Sequence, residues 1–230
     1  MSKINTVKLS PEMKKVSLLI IAVIMLFNSV VIAQKYRIEF GSVNPTQSGT
    51  SFSPNYFYGG RLGATAEFNL KNNFSLLTGA LYSLVYSSKV SHYTSTDSVM
   101  YSTFNHSVDI PLRLTYNLPL SKDLKIFGFA GPNLNIGLFQ PRTTTAILSS
   151  SVINSINELN GTVPTTGTDD LYKMGLINRI NFQMGAGAGI QWKNYQLKGG
   201  YDFGINSINK VDSGKLLHQS GWYVSLVYQF

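Results

Sequence analysis

Few residues in this chain have types and spacing that could do chemistry. Its three histidines are His92, His106 and His218, and it has no cysteine. None of the three has a metal-ligating partner at i+2 or i+4, so the spacing of a metal site is missing. His218-Gln219-Ser220 puts an imidazole and a hydroxyl on the same side of an extended segment. A serine–histidine nucleophile also needs an acid to orient the imidazole. No acid follows Ser220, and the preceding candidate, Asp212, lies in a connection, so the expectation is a polar strand end. The run Gly185-Ala186-Gly187-Ala188-Gly189 sits inside an extended segment. It is therefore neither a phosphate loop nor a nucleophile elbow, both of which need a strand-to-helix turn. No catalytic, cofactor-binding or metal residue is assigned.

What remains is fixed charge. Arg37, Glu39, Arg61, Glu67, Asp109, Arg113, Lys125, Lys198 and Asp202 fall on one parity of segments whose other parity is apolar. A period of two means strands with one apolar face. YRIEFGSV, YGGRLGATAEFNL, HSVDIPLRLTYNL, RINFQMGAGAGIQWK, YQLKGGYDFGIN and GWYVSLVYQF read this way, and FSLLTGALYSLVY less cleanly, with Leu77 and Leu81 on the parity of Ser75 and Ser83. In LKIFGFAGPNLNIGL, Phe127 and Phe129 share a parity with Asn133 and Asn135. A bulge at Gly131-Pro132 is expected to shift the faces there.

Those eight strands are joined by connections that alternate strictly between short and long. Lys71 to Asn73, Pro119 to Asp123 and Lys193-Asn194 are short. The stretches 44–55, 88–105, 139–178 and 207–220 are long. All tight turns therefore lie at one end, with both ends of the sheet's chain. Aromatics on the apolar parity gather at two levels. Tyr36, Phe68, Phe74, Tyr116, Trp192, Tyr195, Tyr228 and Phe230 lie beside the short turns, and Tyr58, Tyr86 and Trp222 at the far end. Two belts of amphipathic rings suit the two interfaces of a bilayer.

Composition agrees. Charged residues are 13% of the 230, against roughly 25% in ordinary soluble domains. Twenty glycines with 13 Phe and 13 Tyr favour strands and turns. Residues 1–33 read as a secretory signal peptide: Lys14 and Lys15, an apolar core from Val16 to Phe27, then Val31-Ile32-Ala33 before Gln34. An uncleaved anchor is the alternative, and Met13 is the expected true start. The formal charge is +8; Lys3, Lys8, Lys14, Lys15 and Glu12 of the leader supply +3 of it, which leaves +5. The remaining basic residues are scattered, not striped, which excludes a nucleic-acid partner.

A strand in hydrocarbon finds no water for its N–H and C=O groups, so it must belong to a closed barrel. Eight strands of ~10 residues, tilted ~40°, cross an apolar band of roughly 25 Å. Their interior is filled by side chains. The expected fold is all-β: a transmembrane eight-stranded antiparallel up-and-down β-barrel over 34–230, preceded by a cleavable signal peptide helix. Within the third long connection, Leu148, Val152, Ile156 and Leu159 recur at helical spacing. A short amphipathic helix is expected there, capping the mouth, lying on the membrane or offering an outside contact.

Through VDIPLRLTYNL (108–118), IFGFAGPNLNIGL (126–138), FQMGAGAGIQW (182–192), YQLKGGYDFGINSI (195–208) and the closing aromatic strand, the chain resembles the small eight-stranded outer-membrane barrels of Gram-negative bacteria, OmpA/OmpX-like and "porin family". That resemblance implies a non-enzymatic integral protein of the outer membrane, its termini periplasmic and its long loops extracellular. It implies an envelope-structural or surface-interaction role and a lumen filled by polar side chains. Membrane lipid and lipopolysaccharide are the implied surroundings. Phe230 and the strand it ends would be read by the barrel-assembly machinery, and the long loops would meet any external protein or surface partner. A narrow solute pore is the main alternative. A lipid A-modifying enzyme using His218 and Ser220 is the remote one. No peptidoglycan-binding domain is expected after the barrel.

Overall fold

The computed structural model describes residues 34–230 except Ser51, Asp212 and Ser213. The leader 1–33, Met13 and Asp212 lie outside the described residues. The described chain forms one compact unit over Lys35–Phe230. Among the described residues are β1 (Gln34–Gly49), β2 (Phe52–Tyr56), β3 (Tyr58–Asn69), β4 (Phe74–His92), β5 (Ser98–Pro119), β6 (Leu124–Phe139), β7 (Pro141–Ile147), α1 (Ser150–Glu158), β8 (Gly167–Asp170), β9 (Ile180–Trp192), β10 (Tyr195–Gly204) and β11 (Leu217–Gln229).

Eight of these strands form a ring. The order runs β1-β3-β4-β5-β6-β9-β10-β11 and returns to β1, so the expected eight-stranded barrel is present. Its seam joins the first and last strands, from Arg37↔Gln229 to Gly49↔Leu217. The alternation read from the sequence decides which side faces in. On β11, Tyr223, Ser225, Val227 and Gln229 are buried, while Trp222, Val224, Leu226 and Tyr228 are exposed.

The tight turns follow their residue chemistry. Phe74 N–H donates to Lys71 C=O at 3.2 Å. Asn72 and Asn73 between them have φ of 58° and 67°, the pair of left-handed residues that a type I′ hairpin requires and asparagine tolerates.

Three expectations need correction. First, β6 does not switch faces. Pro111↔Asn133 and Leu114↔Ala130 keep one register across Gly131 and Pro132. Phe127, Phe129, Asn133 and Asn135 all point inward. The one register shift between β5 and β6 lies instead at His106/Ser107. Second, two of the long connections, 44–55 and 88–105, are largely strand. β4 and β5 pair out to His92↔Ser98, so the stretch 88–105 contracts to a turn at 93–97. β2 folds back on β1, which itself runs to Gly49. Third, the connection that holds α1 contains strands as well as the expected helix. β7 pairs with the outer half of β5 through Ser98↔Ile147 to Thr103↔Arg142, and β8 pairs with β7. The helix expected over 148–159 forms as α1.

Crowding inside the ring explains why glycine recurs on the inner parity of β9. A Cβ on Gly187 would lie 2.3 Å from the Gly199 carbonyl oxygen and 2.3 Å from the Phe129 ring. Gly128 faces outward, and a Cβ there would meet nothing nearer than 3.9 Å. Gly187→Val is therefore expected to abolish the compact, heat-modifiable gel band of the folded barrel, while Gly128→Ala keeps it. Equal band intensities in the two variants would contradict this packing.

Candidate functional site

The charged parity meets itself in the lumen. Arg37 pairs with Glu67, Arg61 with Glu39, Lys198 with Glu39 at 2.6 Å and Arg113 with Asp202 at 2.5 Å. Asp109 accepts from the Asn133 and Asn135 amides at 2.9 Å each and from the Ser83 hydroxyl at 3.0 Å. Four cations, Arg37, Arg61, Arg113 and Lys198, thus face four anions, Glu39, Glu67, Asp109 and Asp202. Glu39 is central because it serves two cations at once and is 0% exposed. The Arg61 guanidinium also lies 3.7 Å over the Tyr223 ring, and its Nε donates to the Ser225 hydroxyl at 3.1 Å.

Apolar groups share this interior with the charges. Leu77, Leu81, Val85, Phe127, Phe129, Tyr223 and Val227 are buried, so the lumen is not filled by polar side chains alone. Arg61, Asp109, Asp202 and Tyr223 line both of two small cavities, of about 20 and 30 Å³. Each is large enough for about one water molecule. The middle of the ion-pair network borders both.

The histidines are not brought together. His92 ends β4. His106 takes a 2.5 Å hydrogen bond between its Nδ1 and the Tyr82 hydroxyl, and its ring lies tilted against Phe139 with centroids 3.9 Å apart. His218 stands opposite Ser48 in the seam. The Ser220 hydroxyl accepts from the Gly204 N–H at 3.0 Å. Among the described residues no group of three His, Cys, Asp or Glu could hold a metal ion.

At the long-connection end the mouth is covered. Gly137 leaves room for Tyr172, whose hydroxyl sits where a Cβ would stand. That hydroxyl donates to Asn105 Oδ1 at 3.3 Å, and Arg179 lies 4.9 Å over the ring. Burial pushes the Tyr172 phenol up to about 12, so it stays a neutral donor. Leu171, Ile177 and Ile208 are buried beside it, with Gln140, whose carbonyl accepts from Leu171 N–H at 3.0 Å.

Beyond the mouth, β4, β5, β7 and β8 continue as a four-stranded sheet. Its tip is organised by Asp97, which the sequence reading missed. The Asp97 carboxylate accepts from the Thr94 hydroxyl at 2.5 Å and the Thr96 hydroxyl at 3.2 Å. It also accepts from the Ser149 backbone N–H, tying the start of α1 to the β4–β5 turn. The run Thr94-Ser95-Thr96-Asp97 was the available signal, since Ser, Thr and Asp fold back on their own backbone in turns. α1 buries no residue, and Leu159 at its end is 82% exposed.

A family model described as "outer membrane protein beta-barrel domain" matches residues 28–210. The chain belongs to the outer-membrane β-barrel domain family. Among solved structures, it is similar to Ail, the attachment invasion locus protein of Yersinia pestis, at 10% identity and a TM-score of 0.38, covering 86% of this chain and 100% of that one. Neisserial surface protein A is similar at 12% identity and a TM-score of 0.41, covering 85% and 97%. The N-terminal β-barrel domain of Pseudomonas aeruginosa OprF is similar at 13% identity and a TM-score of 0.26, covering 85% and 97%. No curated protein matches the sequence.

An outer-membrane barrel domain accounts for the inside-out polarity. Trp192 is 57% exposed and Phe230 67%, while Glu39 and Glu67 are fully buried. The rings of the short-turn belt contact one another around the ring: Phe74 and Tyr116 at 5.0 Å, Tyr195 and Tyr228 at 5.3 Å, Tyr228 and Phe230 at 5.1 Å. Tyr86 and Phe104, 4.9 Å apart, do the same at the far end.

Two outcomes follow from this site. Glu39→Gln removes the shared anion and leaves two buried cations; breaking buried pairs of this kind costs roughly 3–5 kcal/mol. Urea unfolding of the barrel in lipid vesicles should show a loss of that order, with exposed Glu158→Gln near zero. Hydrogen bonds, first from Thr94 and then from Ser149, hold the Asp97 carboxyl at about 2, below its ordinary 3.8. Because the folded value is the depressed one, the tie is complete above the ordinary value and is lost as pH falls toward about 2. The Ser149 amide protection factor should fall over that window in the wild type, and Asp97→Ala should show the low value at every pH.

Proposed function

We propose that this protein is a closed, non-enzymatic barrel of the outer membrane that works at its long-connection end, as an envelope component presenting a stiff contact surface outside the cell. The observation that carries this reading is one contrast. The lumen is blocked by the ion-pair network, whereas β4, β5, β7 and β8 extend past the ring as a sheet with α1 standing at its tip. A conducting barrel would need an open, water-filled interior.

In this reading the leader directs export, the tight turns and both ends of the sheet are periplasmic, and lipopolysaccharide surrounds the outer rim. The terminal strand ending at Phe230 is the segment that the assembly machinery reads. The apolar side of α1, with Val152, Ile153 and Ile156 only partly covered, offers a partner a small hydrophobic surface on a polar background.

Planar-bilayer recording separates this from the pore. The purified barrel should give no current above leak, and stepwise conductance would sink the proposal. Deleting residues 148–165 should leave the heat-modifiable band intact and reduce the capture of a surface partner by intact cells. Unchanged capture would remove the contact role. Expression should leave the mass of lipid A unaltered; a mass change that His218→Ala abolishes would make the protein an enzyme.

A further inference from the structure

The lumen balances its charges, but the short-turn end does not. A recess of about 480 Å³ there is lined by Lys35, Lys122, Lys125 and Lys193, with Asp123 as the one carboxylate among its lining residues. Lys35 and Lys125 are half-buried on the inner parity of β1 and β6. Among the described residues neither ammonium has a carboxylate within ion-pair distance, and the nearby Arg37 is already paired with Glu67. Partly desolvated cations without a counter-charge are unfavourable. Where Arg37, Arg61, Arg113 and Lys198 each meet a carboxylate, two unmatched inward lysines call for an anion from outside.

The outer wall of the recess is held in place. Gln191 Nε2 donates to the Lys193 carbonyl at 2.6 Å, and Asn194 Nδ2 to the Gln229 carbonyl at 2.8 Å. Lys193 N–H donates to the Asp123 carbonyl at 2.8 Å, fastening the β9–β10 turn to the β5–β6 turn. The Lys193 ammonium lies 5.2 Å over the Trp192 ring, which belongs to the outward aromatic belt. The recess therefore opens at the level of one bilayer interface, where phosphate is the abundant anion.

We propose that this recess binds a phosphate group, carried by an anionic lipid headgroup or free in solution, with Lys35 and Lys125 as the inner cations and Lys122 and Lys193 as the outer ones. A phosphate presents several charged oxygens in different directions, which separate lysine point charges can meet together. A flat carboxylate reaches fewer of them.

The test uses the full folded chain in an uncharged detergent. Trp222→Phe leaves Trp192 as the single indole, beside Lys193. Its emission is followed while sodium phosphate, short-chain phosphatidylglycerol, or sodium chloride at matched ionic strength is added; phosphorus-31 line broadening gives a second readout. Both phosphate probes should give saturable changes and chloride none. Lys35→Gln with Lys125→Gln should weaken binding at least about tenfold. Tighter binding of phosphatidylglycerol than of inorganic phosphate identifies a lipid as the source, and equal binding identifies free phosphate. Should that double variant fail to give the folded band, Lys122→Gln with Lys193→Gln supplies the same comparison by phosphorus-31. Absence of saturation, an equal response to chloride, or unchanged affinity in the folded variant overturns the proposal.

Discussion

The constraint beneath this structure is that backbone polar groups surrounded by hydrocarbon must find partners in the chain itself. A helix would satisfy them locally, but none among the described residues is long and apolar enough to cross a membrane. Strands can do so only by closing, and the β1–β11 seam completes the circle. Inside-out polarity follows. With acyl chains outside, the apolar parity must turn outward, and the charged parity is forced into an interior too narrow for bulk water.

Those charges are tolerable there because they meet one another. Moving one ion from water into a low-dielectric interior costs several kcal/mol even after relaxation, so an isolated lumenal charge would oppose folding. Pairing across the ring offsets that cost and also fixes the filling. Arg61 is held by Glu39, Ser225 and the Tyr223 ring from three directions. Arg113 reaches both Asp202 and the Gly131 carbonyl. The same interactions that make the buried charges tolerable also occupy the bore of the barrel.

The barrel was legible in the sequence because its rule is local: one parity apolar, the other polar, repeated eight times with alternating connections. The ion pairs were not. Arg37 and Glu67 are on one parity of two strands, but which carboxylate faces which cation depends on register and stagger around the ring, and a single sequence does not carry that. β7 and β8 escaped for a different reason. PRTTTAI and GTDD lie on neither lipid nor core, so they alternate nothing apolar and look like loop. Phe127 and Phe129 misled in the opposite sense. Aromatics were read as outward, yet beside Gly187 and Gly189 the lumen has space that large rings fill.

The seam has a further consequence for biogenesis. β1 and β11 are the most distant strands in sequence, and Arg37 lies 192 positions from its partner Gln229. Loop closure over that separation comes at the end of synthesis, so no shorter nascent intermediate has both of its lateral edges covered. Until those two strands pair, the sheet is an open ribbon whose two lateral edges present unpaired N–H and C=O groups, each a template for pairing with another chain.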